Sequence, residues 1–296
     1  MRILALLGLV AALLAPAPGA AATPRPLKIG VTLHPYYSWT ANIVGDTPGV
    51  EVRGVLPGEI DAGDYQPRPD DIKKLADLDA IVINGIGHDD FILDMIKASG
   101  NKQLVVIRPN DVTPTMKFKN GSAVNSHTFI SFGNAIQQTY YIEKELAKLR
   151  PEFAATFQKN AAEYARRLRT IKADAATKIA GASIARVVTV HDGYSYLLQE
   201  FGIDLAGVVE PAHGLIPSAK ELGEIVAIVK KENVKVVLSE AAFSDKLLQV
   251  LKDEGGVRVY IISHIATGQY AADKFETDMQ ANVNALIQAL VIDPKT

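Results

Sequence analysis

Six histidines and a few acidic residues are the side chains of this 296-residue chain that could do metal chemistry together. His34, His88, His127, His191, His213 and His264 lie far apart in sequence, and no compact motif of the HExxH kind joins any two of them. Neutral imidazoles with a carboxylate nearby are borderline-soft nitrogen and oxygen donors. They suit zinc, at about 2.0 to 2.1 Å per nitrogen bond in tetrahedral geometry, better than manganese, which favours more oxygen. The stretch INGIGHDD, residues 83 to 90, poses the question most sharply: an apolar run ends in two glycines, and His88 follows with Asp89 and Asp90 behind it. Aspartates favour the first turn of a helix through capping and the helix dipole, here a helix continuing as FILDMIKA. That explains the acids and leaves His88 unexplained. The Gly85-x-Gly87 pair lacks the third glycine of a dinucleotide loop.

The elements that would position these residues are short Val- and Ile-rich runs alternating with helix-period segments. Strands are expected near 27 to 33, 51 to 56, 79 to 84 and 103 to 108, and again near 185 to 190, 205 to 210, 234 to 239 and 257 to 262. Unbroken apolar strands separated by helices indicate parallel sheets covered on both faces, so each group of four reads as an α/β lobe. Open parallel sheets bind ligands at the carboxyl ends of their strands. His34 follows the first strand, His88 the third, His191 the fifth, His213 the sixth and His264 the eighth; His127 lies in the long loop after the fourth. Glu240 ends the seventh strand, and Asp61 and Asp64 lie in the loop after the second. Histidines placed at random would also populate helices and the opposite loops, so this segregation points to one shared site between two lobes. His34, followed by a proline and two tyrosines, is expected to be packed or to orient a ligand, and His213 to sit in a loop fixed by two prolines.

Between the two groups, residues 129 to 180 carry no strand signal. Beyond Pro151 an apolar stripe of Phe153, Phe157, Ala161, Tyr164, Leu168, Ile171, Ala175 and Ile179 recurs at spacings of three and four, which predicts one long helix of roughly 43 Å as a stiff connector. Pro151 suits its first position. Arg2, the apolar run Ile3 to Leu14 and the small residues Ala20 to Ala22 form a secretory signal pattern over residues 1–22. The expected organisation is thus a signal peptide (1–22), an N-terminal α/β lobe (23–128), a helical linker (129–180) and a C-terminal α/β lobe (181–296). No later run approaches the roughly 18 apolar residues of a membrane span. The absence of cysteine removes disulfides, thiolate ligands and a lipid anchor. A formal net charge of -2 with no basic run makes nucleic acid an unexpected partner.

With these residues in place, the sequence resembles the zinc/manganese-type solute-binding proteins of ABC importers, the TroA-like group with a helical backbone. The resemblance runs from IGVTLHPYYSWTANIVGD to the last helix and is carried by GDYQPRPDDIKKLADLDAIVINGIG, LAKLRPEFAATFQKNAAEYARRL and VVTVHDGYSYLLQEFGI. It implies a periplasmic, monomeric receptor that captures a divalent metal between two lobes and hands it to a membrane permease. The family's second ligand matches His127 and its third matches His191. A histidine at the latter position, where manganese members carry glutamate, leans towards zinc. The family's first histidine falls on Gly63, which has no side chain, and its fourth ligand falls on Ser263 or its neighbour His264. The family's histidine-rich loop has no counterpart in residues 109 to 126.

The expected metal ligands are therefore His88, replacing the missing first histidine, with His127, His191 and His264. Asp61, Asp64 or Glu240 could supply oxygen instead. Two other readings compete with a non-enzymatic receptor. One is a zinc hydrolase with an open water position and Glu240 as its base. The other is a receptor for an organic ligand, with Tyr36, Tyr37 and Trp39 lining the cleft.

Overall fold

The computed structural model describes residues 25–121, 123–210 and 214–291. The expected signal peptide and His213 lie outside them. The first half runs β1 (Leu27–Val31), α1 (His34–Val44), β2 (Val50–Gly54), α2 (Pro69–Lys73), β3 (Ala80–Val82), α3 (Phe91–Ser99) and β4 (Val105–Ile107). Two helices follow, α4 (Phe132–Leu149) and α5 (Ala154–Ile179). The second half runs β5 (Arg186–Thr189), α6 (Ser195–Glu200), β6 (Asp204–Val208), α7 (Ala219–Lys231), β7 (Val236–Ser239), α8 (Asp245–Gly255), β8 (Arg258–Ile261) and α9 (Lys274–Leu290). Each of the eight strand segments read from the sequence overlaps one of these strands, β2 and β6 each beginning one residue earlier than expected.

Both sheets are wholly parallel and share one topology, β2-β1-β3-β4 and β6-β5-β7-β8. The central strands β3 and β7 are buried along their whole length, as strands covered by helices on both faces must be. In each sheet the strand order switches sides between the central pair, β1/β3 and β5/β7: the crossover from the first strand of the pair runs one way and those that follow run the other. Loops leaving those strands diverge and open a crevice at their carboxyl ends. His34 and His88 leave the first pair; His191 and Glu240 leave the second.

The segment 129 to 180 departs in one respect from a single helix begun at Pro151. α4 already occupies its first half, and Pro151–Phe153 is a 3-10 turn between α4 and α5. Proline disfavours the α conformation in the residue before it, and Arg150 accordingly sits at φ −138° and ψ 75°, which breaks the helix there. α5 itself has 26 residues, about 39 Å at 1.5 Å per residue. Its buried stripe of Phe157, Ala161, Tyr164, Ala165, Leu168, Ala175 and Ile179 packs on α4, α1 and α9.

α9 returns from the second half to the first. Ser38 Oγ donates to the Ala271 carbonyl (2.7 Å) and accepts from Phe275 N (3.2 Å). Asn42 Nδ2 donates to the Ala272 carbonyl (2.7 Å), and Arg167 Nε on α5 reaches both carboxylate oxygens of Glu276 at 3.0 and 3.1 Å. Trp39 stands edge-on to Tyr36 and Phe275, with ring centroids 5.2 Å apart in each pair. One continuous apolar core therefore contains residues of both sheets. Among the described residues no helix is long and apolar enough to cross a membrane.

Candidate metal centre

The loop after β3 is built to hold His88 still. Gly85 and Gly87 take φ of 67° and 116°, which side chains with a Cβ rarely adopt. Asp89 is fully buried; it accepts from the backbone N–H of Asn84 (2.7 Å) and Gly85 (2.8 Å) and from the Thr32 hydroxyl. Its role is thus to fold the loop back onto the strand ends, while the helix begins only at Phe91 without a side-chain cap from Asp90. Helix capping alone does not account for these acids. The Asp89 carboxylate instead supplies an acceptor for two loop amides and the Thr32 hydroxyl.

The structure brings His88, His127, His191 and His264 into one buried cluster. Ring centroids lie 5.0 Å apart for His88 and His127, 5.8 Å for His88 and His264, 4.7 Å for His127 and His191, 4.9 Å for His127 and His264, and 4.5 Å for His191 and His264. Donor atoms of His88, His127 and His264 all lie within 4.8 Å of one another, and so do those of His191, Glu240 and His264. Phe129 closes one side, its ring 5.1 Å from His88 and 5.9 Å from His264. Gly193 permits the close approach on another: a Cβ there would stand 3.1 Å from His191 Cε1 and 3.4 Å from His127 Cδ2.

Carboxylates orient two of the rings. Asp61 accepts from His264 Nδ1 at 2.9 Å and from Gly63 N at 2.8 Å, and its Oδ1 lies 3.0 Å from His88 Nε2. Glu240 accepts from His191 Nδ1 (3.0 Å) and from the Tyr194 hydroxyl (2.8 Å). A carboxylate can only accept, so His191 and His264 carry their protons on Nδ1 and present Nε2 lone pairs. Burial pushes the Asp61 carboxyl up, but the imidazoles of His264 and His88 beside it outweigh that and hold Asp61 well below the usual carboxylate range. Burial acts the same way on Glu240, and its bond from His191 leads the interactions that bring it down to about 2. His264 is itself pushed below the ordinary imidazole value by burial, against the pull of Asp61. It therefore stays neutral, the form that binds a cation.

The remaining candidates fall elsewhere. His34 Nε2 donates to the Gly268 carbonyl (2.9 Å) and its ring stacks on Tyr270 with centroids 4.2 Å apart, so it packs the contact between the halves. Ser263 is held by Asn282 of α9 through both backbone groups (2.6 and 2.8 Å), which sets the loop that presents His264. Asp64 and Glu210 line a cavity of about 700 Å³ that borders the cluster beside Asp61, His191, Glu240 and His264. Tyr36 and Trp39 are fully buried core residues, so they do not line a cleft for an organic ligand. Asp61 appeared in the sequence only as one of three optional oxygen donors, and its engagement by two histidines from opposite halves carries no local signal. Asn125, which accepts from His127, was not singled out at all.

Comparison with known proteins agrees with this chemistry. The family model described as ZnuA, zinc-uptake complex component A periplasmic, matches residues 29–289. The high-affinity zinc uptake system protein ZnuA of Bacillus subtilis is 24% identical over 283 residues, covering 90% of this chain and 88% of that protein. The zinc-binding protein AdcA of Streptococcus pyogenes serotype M6 is 25% identical over 259 residues, and the match takes in 80% of this chain but only 50% of AdcA. Among solved structures, the SBP FpvC of Pseudomonas aeruginosa in complex with Mn2+ is 41% identical with a TM-score of 0.83, covering 90% of this chain and 98% of FpvC. The same protein has also been solved with Ni2+. A buried polyhistidine cluster at the carboxyl ends of two parallel sheets, and a family match over nearly the whole described chain, lead to one conclusion: the chain belongs to the family of periplasmic zinc-uptake component A proteins.

Proposed function

We propose that this protein is the receptor of an ABC importer: exported with residues 1–22 as its signal peptide, it captures a divalent metal ion, zinc before manganese, in the periplasm and delivers it to a membrane permease. The observation that carries the reading is the convergence of His88, His127, His191 and His264, two of which present Nε2 lone pairs because Asp61 and Glu240 hold the Nδ1 nitrogens of His264 and His191. Four nitrogen donors drawn from both halves favour zinc, and the zinc-uptake relatives point the same way. The protein binds and releases its cargo without changing it. Glu240 supports this: it is occupied in holding His191 and Tyr194, the work of an orienting group rather than of a general base. The core shared by both sheets and the contacts of α9 with α1 and α5 imply that loops at the site, more than whole lobes, move on binding.

Elemental analysis of protein purified from the periplasm, followed by zinc titration against a competing chelator, tests the reading. One zinc per chain, bound tightly enough to compete with the chelator, is expected. Absence of zinc binding, or turnover of ester, phosphate or amide substrates that vanishes in Glu240→Gln, would replace it with another function.

A further inference from the structure

Asn125 is fully buried beside the cluster, and its orientation follows from chemistry. One end faces the backbone N–H of His127 at 3.0 Å, a group that can only donate, so that end is the carbonyl oxygen Oδ1. The other end faces the Asp192 carbonyl at 2.8 Å and its carboxylate at 3.4 Å, both acceptors, so it is the NH2 group. Oδ1 also lies 2.8 Å from His127 Nδ1. Since Oδ1 cannot donate, the proton of the neutral ring must reside on Nδ1.

We propose that Asn125 is a positioning residue of the metal centre: it holds His127 as the Nδ1–H tautomer, leaving the lone pair on Nε2, and ties that ring to the loop of His191. The inference rests on reading the cluster as a metal site. His127 is the one member of the cluster whose Nδ1 partner is an amide, where His191 and His264 have carboxylates. Its tautomer therefore depends on a group that could present either end, and the His127 N–H together with Asp192 of the second half decides which. Asp192, the residue after His191, accepts from the Asn125 NH2 group. Tyr196 donates its hydroxyl to the Asn125 carbonyl (2.7 Å) and accepts from Met116 N (2.9 Å). Lys119 N donates to the Asp192 carboxylate. The hairpin closed by the Lys117–Val124 bridge is thereby docked on the loop that carries His191. Rotation of the amide by half a turn would set its NH2 group against the His127 N–H and its oxygen against two acceptors, losing the bonds to His127 N and to Asp192.

Long-range 1H–15N correlation spectra of the metal-free protein near pH 8, with His127 assigned through His127→Gln, read the tautomer directly. The Nδ1–H form is expected in the wild type. In Asn125→Ala it should give way to a mixture with Nε2–H, and zinc affinity should fall by about 10- to 100-fold, the usual cost of losing an orienting partner. Asn125→Asp keeps an acceptor for Nδ1–H, so it should retain the tautomer while the contact with Asp192 is lost. An Nε2–H ring in the wild type overturns the proposal without need of any variant, as does an Asn125→Ala protein with unchanged tautomer or unchanged affinity. If the wild type binds no zinc, the metal reading fails, while the dependence of the tautomer on Asn125 is still decided by the spectra.

Discussion

His88→Ala removes one of four imidazoles, and the structure sets the size of the effect. Structural zinc sites in small peptides bind with roughly 10 to 16 kcal/mol, which shared over four donors is about 3 to 4 kcal/mol for each, or a rise of about 100- to 1,000-fold in Kd. The same substitution removes the ring beside Asp61 and opens a void beside Phe129, but Asp61 keeps His264 and the Gly63 amide as donors. The loop itself is held by Asp89 and its glycines rather than by His88, so the fold should persist, with unfolding shifted by about 1 to 3 kcal/mol. Chelator competition measures the affinity, and circular dichroism with urea unfolding checks the fold. His88→Gln separates two roles: its amide can take the place of Nε2 beside Asp61 but offers no imidazole. As weak as His88→Ala is the outcome expected of a ligand. Restoration to the wild-type Kd by His88→Gln, or a Kd within about twofold of wild type in His88→Ala, would make His88 only a support for Asp61 and refute the reasoning.

Three other outcomes are expected. Zinc affinity should fall steeply as pH drops below about 6.5, because protons compete for the same imidazole lone pairs; titrations at pH 7.5 and 5.5 with equal affinity would contradict this. Asp71, buried against the Arg68 amide, Tyr65 and Lys74, has its carboxyl held down at about 2, those bonds outweighing the upward push of burial. A depressed folded-state pKa stabilises above the unfolded value near 3.8 and the contribution is lost as pH falls towards 2, so Asp71→Asn should cost about 1 to 2 kcal/mol at pH 7 and progressively less in acid. Urea unfolding at pH 7 and pH 2.5 that shows the same difference at both would refute it. Gly193→Val, by crowding His191 and His127, should weaken zinc binding at least tenfold with little loss of secondary structure, and unchanged affinity would mean that the rings have room to spare.

The strand framework was legible because its signal is local: β3 and β7 are buried on both faces and so read as unbroken Ile and Val runs. The same framework made the edge rule usable, and that rule placed His88, His127, His191 and His264 in adjoining loops. His34 shows the limit of the rule, for it too leaves a strand at the right edge yet stacks on Tyr270. What stayed hidden depends on contacts between distant segments. Asp61 serves His88 and His264 at once, Asn125 answers to Asp192, and Asn282 sets the loop of His264. No periodicity records such pairings. The start of the long helix was placed at Pro151, ahead of its true start at Ala154, for a different reason, since proline is compatible with both a helix start and the 3-10 turn found there.

X-ray absorption spectroscopy of the zinc-loaded protein tests the central claim most directly. The expected spectrum has a shell of nitrogen or oxygen donors at about 2.0 to 2.1 Å with the outer-shell scattering of at least three imidazole rings, and that scattering should diminish in His88→Ala, His127→Ala, His191→Ala and His264→Ala. A shell of oxygen donors without imidazole scattering, or a spectrum indifferent to all four substitutions, would contradict it.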